Sequence, residues 1–294
     1  MKKLKTIVVL VTYKADNDLL RECLKSLNEQ VSKIIIVDNT PKDSNGLNFG
    51  KTKEIELISL GDNYGIAYAQ NIGIKQALNE NADFILLSDQ DTIYPNNYID
   101  ELLFCFNEFS TDKNIAAVAP IYRDNNNMEV QPMVYFDKLS LQKTYNLDKC
   151  KSVSHVISSG MLIPADIFKK VGYHQEDLFI DWVDTEWCWR ALQLNYEIIQ
   201  TPKVIIEHEH GNYSKKILWK DVPIHNNTMR NYYRLRNATY MLFYSNLNLA
   251  MKLNLLKRII TMIPIHLLTS KNKKEEIIRI FKSLKDAITK KLGK

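Results

Sequence analysis

Residues 83–95 read DFILLSDQDTIYP, and this stretch predicts the fold of the first half of the chain. The apolar run at 84–87 has the length and character of a buried β-strand. Asp89 and Asp91 follow it, and Pro95 suits the first turn of a helix. A strand that ends in polar groups and leads into a helix is typical of a parallel sheet that binds a ligand beyond its strand ends. On their own, the two aspartates are either a solvated pair that caps the following helix or a binding site for a cation.

The same alternation of strand and helix extends over the first 120 residues. Strands are predicted at 6–13, 33–39, 55–60, 83–89 and 116–120, and helices at 64–80 and 95–109. This rhythm predicts an α/β fold with a mostly parallel central sheet that is flanked by helices on both faces. Thr12, Tyr13 and Asp38 then lie at strand ends, on the same edge as Asp89. Three strands therefore bring polar groups to one edge, which indicates a ligand site.

Composition and charge restrict the class of protein. Of 294 residues, 45% are hydrophobic and 25% are charged, which is typical of a soluble globular protein. The net charge of +5 resides in the segment 271–294, where nine basic residues oppose three acidic ones. Because the rest of the chain is nearly neutral, a broadly basic nucleic-acid-binding face is excluded. The four cysteines form no CxxC pair, so we expect reduced thiols of a cytoplasmic protein.

Acids and histidines later in the chain are further candidates for chemistry. In DWVDTEW (181–187), the acids either complement a helix dipole or supply a general base. In EHEHG (207–211), His208 and His210 point to one face of a predicted strand. One of these imidazoles completes a metal shell, or both are ordinary edge-strand residues.

A predicted helix near residue 230 carries a polar stripe. The stripe consists of Arg230, Tyr233, Arg236 and Asn237. The planar guanidinium group of arginine carries N–H donors whose spacing matches the oxygens of a diphosphate. The alternative is a solvated helix face.

Taken in order, these motifs resemble glycosyltransferase family 2, whose members are inverting enzymes with an A-type nucleotide-sugar fold. The matching segments are VTYKADNDLLRECLKSL, IIIVDNT, GDNYGIAYAQNIGIKQA, LLSDQDTIYP, ISSGMLI, FIDWVDTEWCWRA, EHEHGN and RNYYRLRNATYML. The sixth and eighth segments look most like the bacterial rhamnosyltransferase branch, which is itself similar to galactofuranosyltransferases.

The resemblance implies roles for the donor side. The residues implied to bind the nucleotide-sugar are Thr12, Tyr13, Asp38, Gly65, Ala69, Asn71, Asp89 and Gln90. Asp89 and Asp91 match the DxD motif that holds Mg²⁺ or Mn²⁺ against the diphosphate. His208 matches a further metal ligand, with His210 as the fallback.

The resemblance also implies catalytic and acceptor residues. Asp184 matches the base that deprotonates the acceptor hydroxyl. The family's usual Glu-Asp pair is Val183–Asp184 here, so Glu186 remains a second candidate base. The residues expected near the acceptor or the diphosphate are Ser159, Gly160, Trp182, Arg230, Tyr233, Arg236 and Asn237.

From this resemblance we expect transfer of one sugar per encounter, since the QxxRW signature of processive synthases is missing. The expected donor is dTDP-rhamnose and the expected acceptor a lipid-linked surface polysaccharide, capsule or O-antigen. A UDP-sugar hexosyltransferase or galactofuranosyltransferase is the alternative, and a non-catalytic module of a polysaccharide assembly complex is a remote one. A sugar-phosphate nucleotidyltransferase is disfavoured because no glycine follows the first strand.

The C-terminal part is predicted to differ from the rest. We expect a catalytic domain at 1–225 and a helical extension at 226–294, with a break at Pro264. In the last helix, Ile277, Phe281 and Ile288 share one stripe among lysines. This helix packs on the body, pairs two subunits in a homodimer, or attaches to an anionic membrane. Because no apolar stretch is long enough to span a bilayer, we expect a peripheral protein on the inner face of the cell membrane.

Overall fold

A computed structural model of the chain describes residues 4–42, 47, 54–124, 128–208, 213–217, 220–224 and 228–294, with backbone only at 208, 213–217, 220–224 and 228. The strands are β1 (Thr6–Thr12), β2 (Lys33–Pro41), β3 (Ile55–Gly61), β4 (Phe84–Asp89), β5 (Ile115–Asp124), β6 (Met133–Asp137), β7 (Ser140–Thr144), β8 (Lys151–Val153), β9 (Met161–Pro164), β10 (Glu197–His208), β11 (Tyr213–Ile217) and β12 (Lys220–Ile224). The helices are α1 (Asn17–Leu27), α2 (Ile66–Asn79), α3 (Tyr98–Ser110), α4 (Ile167–Lys170), α5 (Val183–Gln193), α6 (Thr228–Tyr244), α7 (Leu249–Thr269) and α8 (Lys273–Ile288).

One eight-stranded sheet forms the centre, in the order β3-β2-β1-β4-β9-β5-β10-β8. The neighbours β3, β2, β1 and β4 run parallel, and so do β5 and β10. β9 is antiparallel to both β4 and β5, and β8 is antiparallel to β10. The predicted α/β class with a mostly parallel sheet is therefore confirmed.

The sheet is buried between two helical layers because its strands are apolar on both faces. In β1, Ile7, Val9 and Val11 pack into the core that includes α2, α4 and α5. Val8 and Leu10 point the other way, into the core formed with α1 and α3. The side chains of a strand alternate between the two faces of the sheet, so one short strand contributes to both cores.

The middle segment is more regular than its polar sequence suggests. β5 continues past Pro120 to Asp124, although we expected it to end at residue 120. Opposite Pro120, β10 shifts register between Thr201 and Ile205, so the missing proline N–H coincides with an irregularity of the ladder. β6 and β7 then form a hairpin in a part of the chain where no strand was predicted.

The C-terminal helices also depart from the prediction in one detail. α7 continues through Pro264, and the helical segments are instead separated at 245–248 and 270–272. Proline leaves the carbonyl of Ile260 without its N–H partner, and Ile260 lies at the surface, where water can hydrate that carbonyl. Among the described residues, none of the helices is both long enough and apolar enough to cross a membrane.

The extension and the body share one apolar core. It joins Ala67 and Trp189 of the body with Leu235, Met251 and Ile280 of the three last helices. The proposed domain boundary at 225 therefore separates two segments of sequence that pack together.

Candidate active site

The carboxyl ends of three adjacent parallel strands form a polar edge, which we define as Thr12, Asp38, Asp89 and Asp91. The ladder aligns Thr12 with Asp38 and Val11 with Asp89. The Thr12 hydroxyl donates to Asp38 Oδ1 over 3.1 Å, and the Thr40 amide donates to the same oxygen over 3.2 Å. Regular pairing of the strands thus brings side chains from three parts of the sequence to one edge.

Two asparagines that were not among the predicted site residues support this edge. Asn39 Nδ2 donates to Asn63 Oδ1 over 3.0 Å, and Asn39 Oδ1 accepts from the Tyr64 amide over 2.8 Å. Asn63 Oδ1 also accepts from the amide of Gly65, where α2 begins. A repeated Asp-Asn pair, at 38–39 and 62–63, is the signal that could have identified them.

The turn after β4 carries the two aspartates of the opening motif. Asp89 is half-buried and Asp91 is exposed. Between them, Gln90 Oε1 accepts from the amide of Tyr13 over 2.8 Å, which ties the turn to the end of β1. Gln90 and Tyr13 therefore lie where the resemblance implies a donor, at the polar edge.

Ser159 and Gly160 are buried and bond residues of β4 and of this turn. This corrects their expected position in an acceptor loop. The buried Ser159 hydroxyl bonds the Asp89 amide over 3.3 Å and the Thr92 hydroxyl over 2.8 Å. Gly160 donates its amide to Leu87 and has φ +80. A Cβ there would lie 2.4 Å from the Tyr98 hydroxyl, so only glycine fits.

Asp184 lies in the first turn of α5 and has an unusual electrostatic environment. Burial raises the pKa of Asp184 to about 6, and the negative charges of Asp181 and Asp89 add to the rise. Hydrogen bonds from the Thr185 amide and hydroxyl oppose it. Because the charge of Asp89 contributes to this rise, Asp184 lies close enough to the polar edge for the two carboxyl groups to interact. A carboxyl with a pKa near neutrality is suited to take up a proton.

Glu186 does not share this environment, which corrects its role as second candidate base. Its two oxygens pair with Arg190 Nε over 2.9 Å and with a terminal nitrogen of Arg190 over 2.8 Å. Arg190 also donates to the carbonyls of Val171 and Tyr173. Glu186 is buried in this ion pair, on another face of α5 than Asp184.

The segment that leads into α5, loop 177–182, has a strained backbone. Phe179, Asp181 and Trp182 all have positive φ, at 62, 62 and 69°. Each such residue costs on the order of 1 kcal/mol or more, so other contacts must hold it. Asp181 pairs with Arg230 Nε over 3.1 Å, and the Trp182 indole donates to the Arg234 carbonyl over 3.0 Å.

The expected polar stripe of α6 is largely buried against this loop, which corrects the diphosphate role of two of its members. Arg236 is 1% exposed and Asn237 is fully buried. Their nitrogens donate to backbone carbonyls of the loop. Tyr233 is also buried and stacks on Phe179 with ring centroids 4.9 Å apart. Of the four residues, only Arg230 keeps a substantial exposed part.

The residues expected along α2 are structural as well. Ala69 is fully buried in the core. Asn71 uses its amide group to bond the backbone of His174 and the side chain of Glu176. Gly65 is needed because a Cβ would lie 2.5 Å from the Phe179 carbonyl oxygen. Helical spacing cannot distinguish a ligand-facing position from these contacts, because both favour small or polar residues.

The metal ligands are defined only in part. Asp89 and Asp91 offer hard oxygen ligands at the polar edge, which suit Mg²⁺ or Mn²⁺. His208 ends β10 next to Asp124 of β5, but its side chain is not among those described, and His210 lies outside the described residues. Within the described chain, no three acids, histidines or cysteines cluster as a metal site. Two carboxylates fit a weak site that needs oxygens from a substrate.

Tyr122 and Asp124, near the end of β5, were also missed. Burial raises the pKa of Tyr122 to about 12, and the charges of Asp184 and Asp124 add to the rise. Tyr122 therefore lies near both of these carboxyl groups. The sequence analysis had ended the fifth strand at residue 120, so these residues were not expected at a strand end.

Comparison with known proteins identifies the family of the chain. A family model described as Glycosyl transferase family 2 matches residues 7–172. A curated relative, dTDP-rhamnosyl transferase RfbF of Shigella flexneri, is 33% identical over 237 residues, which are 80% of this chain and 78% of the relative.

Solved structures show a similar fold at low sequence identity. Residues 1–349 of TarS from S. aureus in complex with UDP-GlcNAc match with a TM-score of 0.60 at 15% identity, covering 97% of this chain and 81% of that one. GalNAc-T7 with UDP, GalNAc and Mn²⁺ matches with a TM-score of 0.58 at 13% identity, covering 81% and 47%.

Proposed function

The chain belongs to glycosyl transferase family 2, and from this premise we propose that it moves one L-rhamnose unit from dTDP-rhamnose to a hydroxyl group of a bacterial surface polysaccharide. That the chain is a glycosyltransferase follows from the family and from its relative. The choice of rhamnose is supported by similarity to the dTDP-rhamnosyl transferase. The proposal is carried by Asp184, which lies in the first turn of α5, near enough to Asp89 of the polar edge for their charges to interact, with a pKa that burial raises.

The reaction needs a single displacement. Ionised Asp184 takes the proton of the acceptor hydroxyl, and the resulting oxygen attacks the anomeric carbon of the donor. The bond between that carbon and the diphosphate oxygen breaks on the opposite face, so the configuration inverts. The nucleotide lies along Thr12, Tyr13 and Asp38, and Gln90 keeps the turn after β4 against the end of β1.

Asp89 and Asp91 are the residues that would hold a divalent cation. Such a cation offsets the charge on the leaving nucleoside diphosphate. The proposal is supported by the Mn²⁺ present with GalNAc-T7 and by the two carboxylates at the polar edge. Because the described residues supply few ligands, we expect weak metal binding until the nucleotide contributes its own oxygens.

A calorimetric screen of nucleotide-sugars tests donor and metal together. We expect dTDP-rhamnose with Mn²⁺ or Mg²⁺ to bind most tightly, and a chelator to abolish binding. Preference for a UDP-sugar would replace the rhamnose proposal by the hexosyltransferase alternative, for which the TarS complex with UDP-GlcNAc is the support. Binding that is unchanged by the chelator would contradict the metal proposal.

We also propose that the acceptor is lipid-linked and that the helical extension binds the anionic inner face of the cell membrane. α7 exposes Leu249, Leu253, Leu256 and Ile260 along one face, and α8 exposes Ile277, Phe281 and Ile288. An apolar face beside a segment with an excess of lysines is typical of in-plane attachment to anionic lipid.

Sedimentation with vesicles tests this attachment. We expect the chain to bind vesicles that contain phosphatidylglycerol and to lose binding on a double change, Leu253→Ser with Phe281→Ser. Phe104→Ser is the matched control, since Phe104 is an exposed aromatic residue on α3. Equal binding by all variants would contradict membrane attachment, and a concentration-dependent dimer that the double change dissolves would assign the face to a second subunit.

A further inference from the structure

Loop 177–182 leads directly into Asp184, so the contacts that hold the loop also locate the carboxyl. Three of its six residues have positive φ without being glycine. A backbone of this kind persists only where tertiary contacts over-determine it. The question is therefore which groups supply those contacts.

Most of the side-chain hydrogen bonds that hold loop 177–182 come from α6. A terminal nitrogen of Arg236 donates to the carbonyls of Asp177 and Leu178, both over 3.2 Å. Asn237 Nδ2 donates to the carbonyls of Leu178, Ile180 and Asp181 over 2.8–3.1 Å. Asn237 Oδ1 in turn accepts from Arg236 Nε over 3.0 Å, which orients the two side chains together.

The segment after α8 joins the same contact. Arg236 donates its other terminal nitrogen to the Gly293 carbonyl over 2.6 Å, and the Gly293 amide donates to the Asp177 carbonyl over 2.8 Å. Arg236 is almost fully buried, and its guanidinium lies over the Tyr233 ring at 4.8 Å. One charged side chain thus bridges α6, the loop and the segment beyond α8.

The opposite side of the loop touches the donor side of the site. The Phe179 carbonyl accepts from the Ile66 amide over 2.8 Å, at the first residue of α2. Gly65 lies so close to Phe179 that a Cβ would overlap with it. The loop is therefore held between α6 and the start of α2, which Asn63 ties to the polar edge.

We propose that Arg236 and Asn237 are positioning residues, which hold loop 177–182 so that Asp184 faces the donor and acceptor. These two residues of α6 then act on catalysis through the loop, without touching the substrate. This inference rests on the proposed function, because the role of Asp184 does. In this proposal, the buried side chains of α6 affect turnover through the loop, and other residues contact the diphosphate.

The test compares Arg236→Gln with Arg279→Gln in the full chain. Arg279 lies on α8 and pairs with the buried Glu276, so its loss weakens the same helical extension away from the loop. For Arg236→Gln we expect a turnover rate about 100-fold lower at saturating substrates, since small displacements of a catalytic group have effects of this size. Nucleotide affinity is expected to change less than about threefold. Arg279→Gln is expected to keep the wild-type turnover.

Amide hydrogen exchange supplies a readout that needs no activity. The amides of Ile66 and Phe179 are expected to exchange at least about tenfold faster in Arg236→Gln than in Arg279→Gln, at matched global stability. Exchange equal in both variants, or equal turnover, would overturn the proposal. If Arg236→Gln does not fold, Arg236→Lys replaces it in the same test. Loss of turnover in that variant supports the positioning role of Arg236, and wild-type turnover refutes it. If wild type transfers no sugar, the proposed function fails, while exchange still decides whether α6 holds the loop.

Discussion

The polar edge and loop 177–182 face each other but are built in opposite ways. Thr12, Asp38 and Asp89 end regular parallel strands, whose backbone groups are paired within the sheet. In loop 177–182, the residues with positive φ depend on side chains of α6, about 50 to 60 residues further along the chain. Regular strand pairing therefore positions the residues proposed for the donor side, whereas side chains of α6 hold the loop that leads to Asp184, the proposed base. Changes at the edge should alter nucleotide affinity, whereas changes at Asp184 should alter turnover.

The sharpest test of this division is Asp184→Asn. We expect turnover to fall about 1,000-fold, because an amide cannot accept the acceptor's proton. Nucleotide affinity should change little, because the donor binds at the strand ends. Steady-state rates and calorimetry on one preparation measure both quantities. Turnover close to wild type would remove Asp184 from the role of base.

The pH dependence of transfer probes the same carboxyl. Asp184 must be ionised to act as base, so activity should be full well above its pKa and fall as the pH drops through it. With a pKa of about 6, the rate should decrease about tenfold per pH unit on the acid side. A cation near Asp89 would offset one of the charges that raise this pKa, so the acid limb should shift below 6 in saturating metal. A transfer rate that stays flat down to about pH 4 in saturating metal would contradict this assignment.

On the opposite side of the site, Thr12→Val tests the polar edge. Valine keeps the shape but removes the hydroxyl that donates to Asp38 Oδ1. We expect the nucleotide dissociation constant to rise about threefold to tenfold, the worth of one hydrogen bond, with turnover at saturation nearly unchanged. Loss of turnover without loss of affinity would break the division between the two regions.

The smallest effect on activity is expected for Glu186→Gln. This change weakens the ion pair with Arg190 and should lower the free energy of unfolding by roughly 2 kcal/mol. Turnover per folded molecule should stay within about twofold of wild type, in contrast to Asp184→Asn. Urea unfolding and active-site-normalised rates separate the two effects. A thousandfold loss of turnover would reinstate Glu186 as the base.

Much of the fold could be predicted from the sequence, because apolar strands and amphipathic helices have recognisable periods. β1, β4 and α2 match their predicted ranges within a few residues. The same logic failed for residues whose polar groups are used inside the protein. Ser159, Asn71, Arg236 and Asn237 were predicted to face ligands, and each instead bonds the protein itself. The type of a residue indicates which bonds it can make, while its partner depends on the packing.

By itself, the sequence determined the α/β sheet, the edge at which Asp38 and Asp89 meet, and the family to which the motifs belong. These follow from local patterns, since strand ends are visible where an apolar run stops. Only the tertiary structure distinguishes Asp184 from Glu186 as candidate bases, because Arg190 pairs with Glu186 while burial and neighbouring charge raise the pKa of Asp184. It also decided that α6 holds loop 177–182, since a positive φ depends on distant contacts that no local pattern contains.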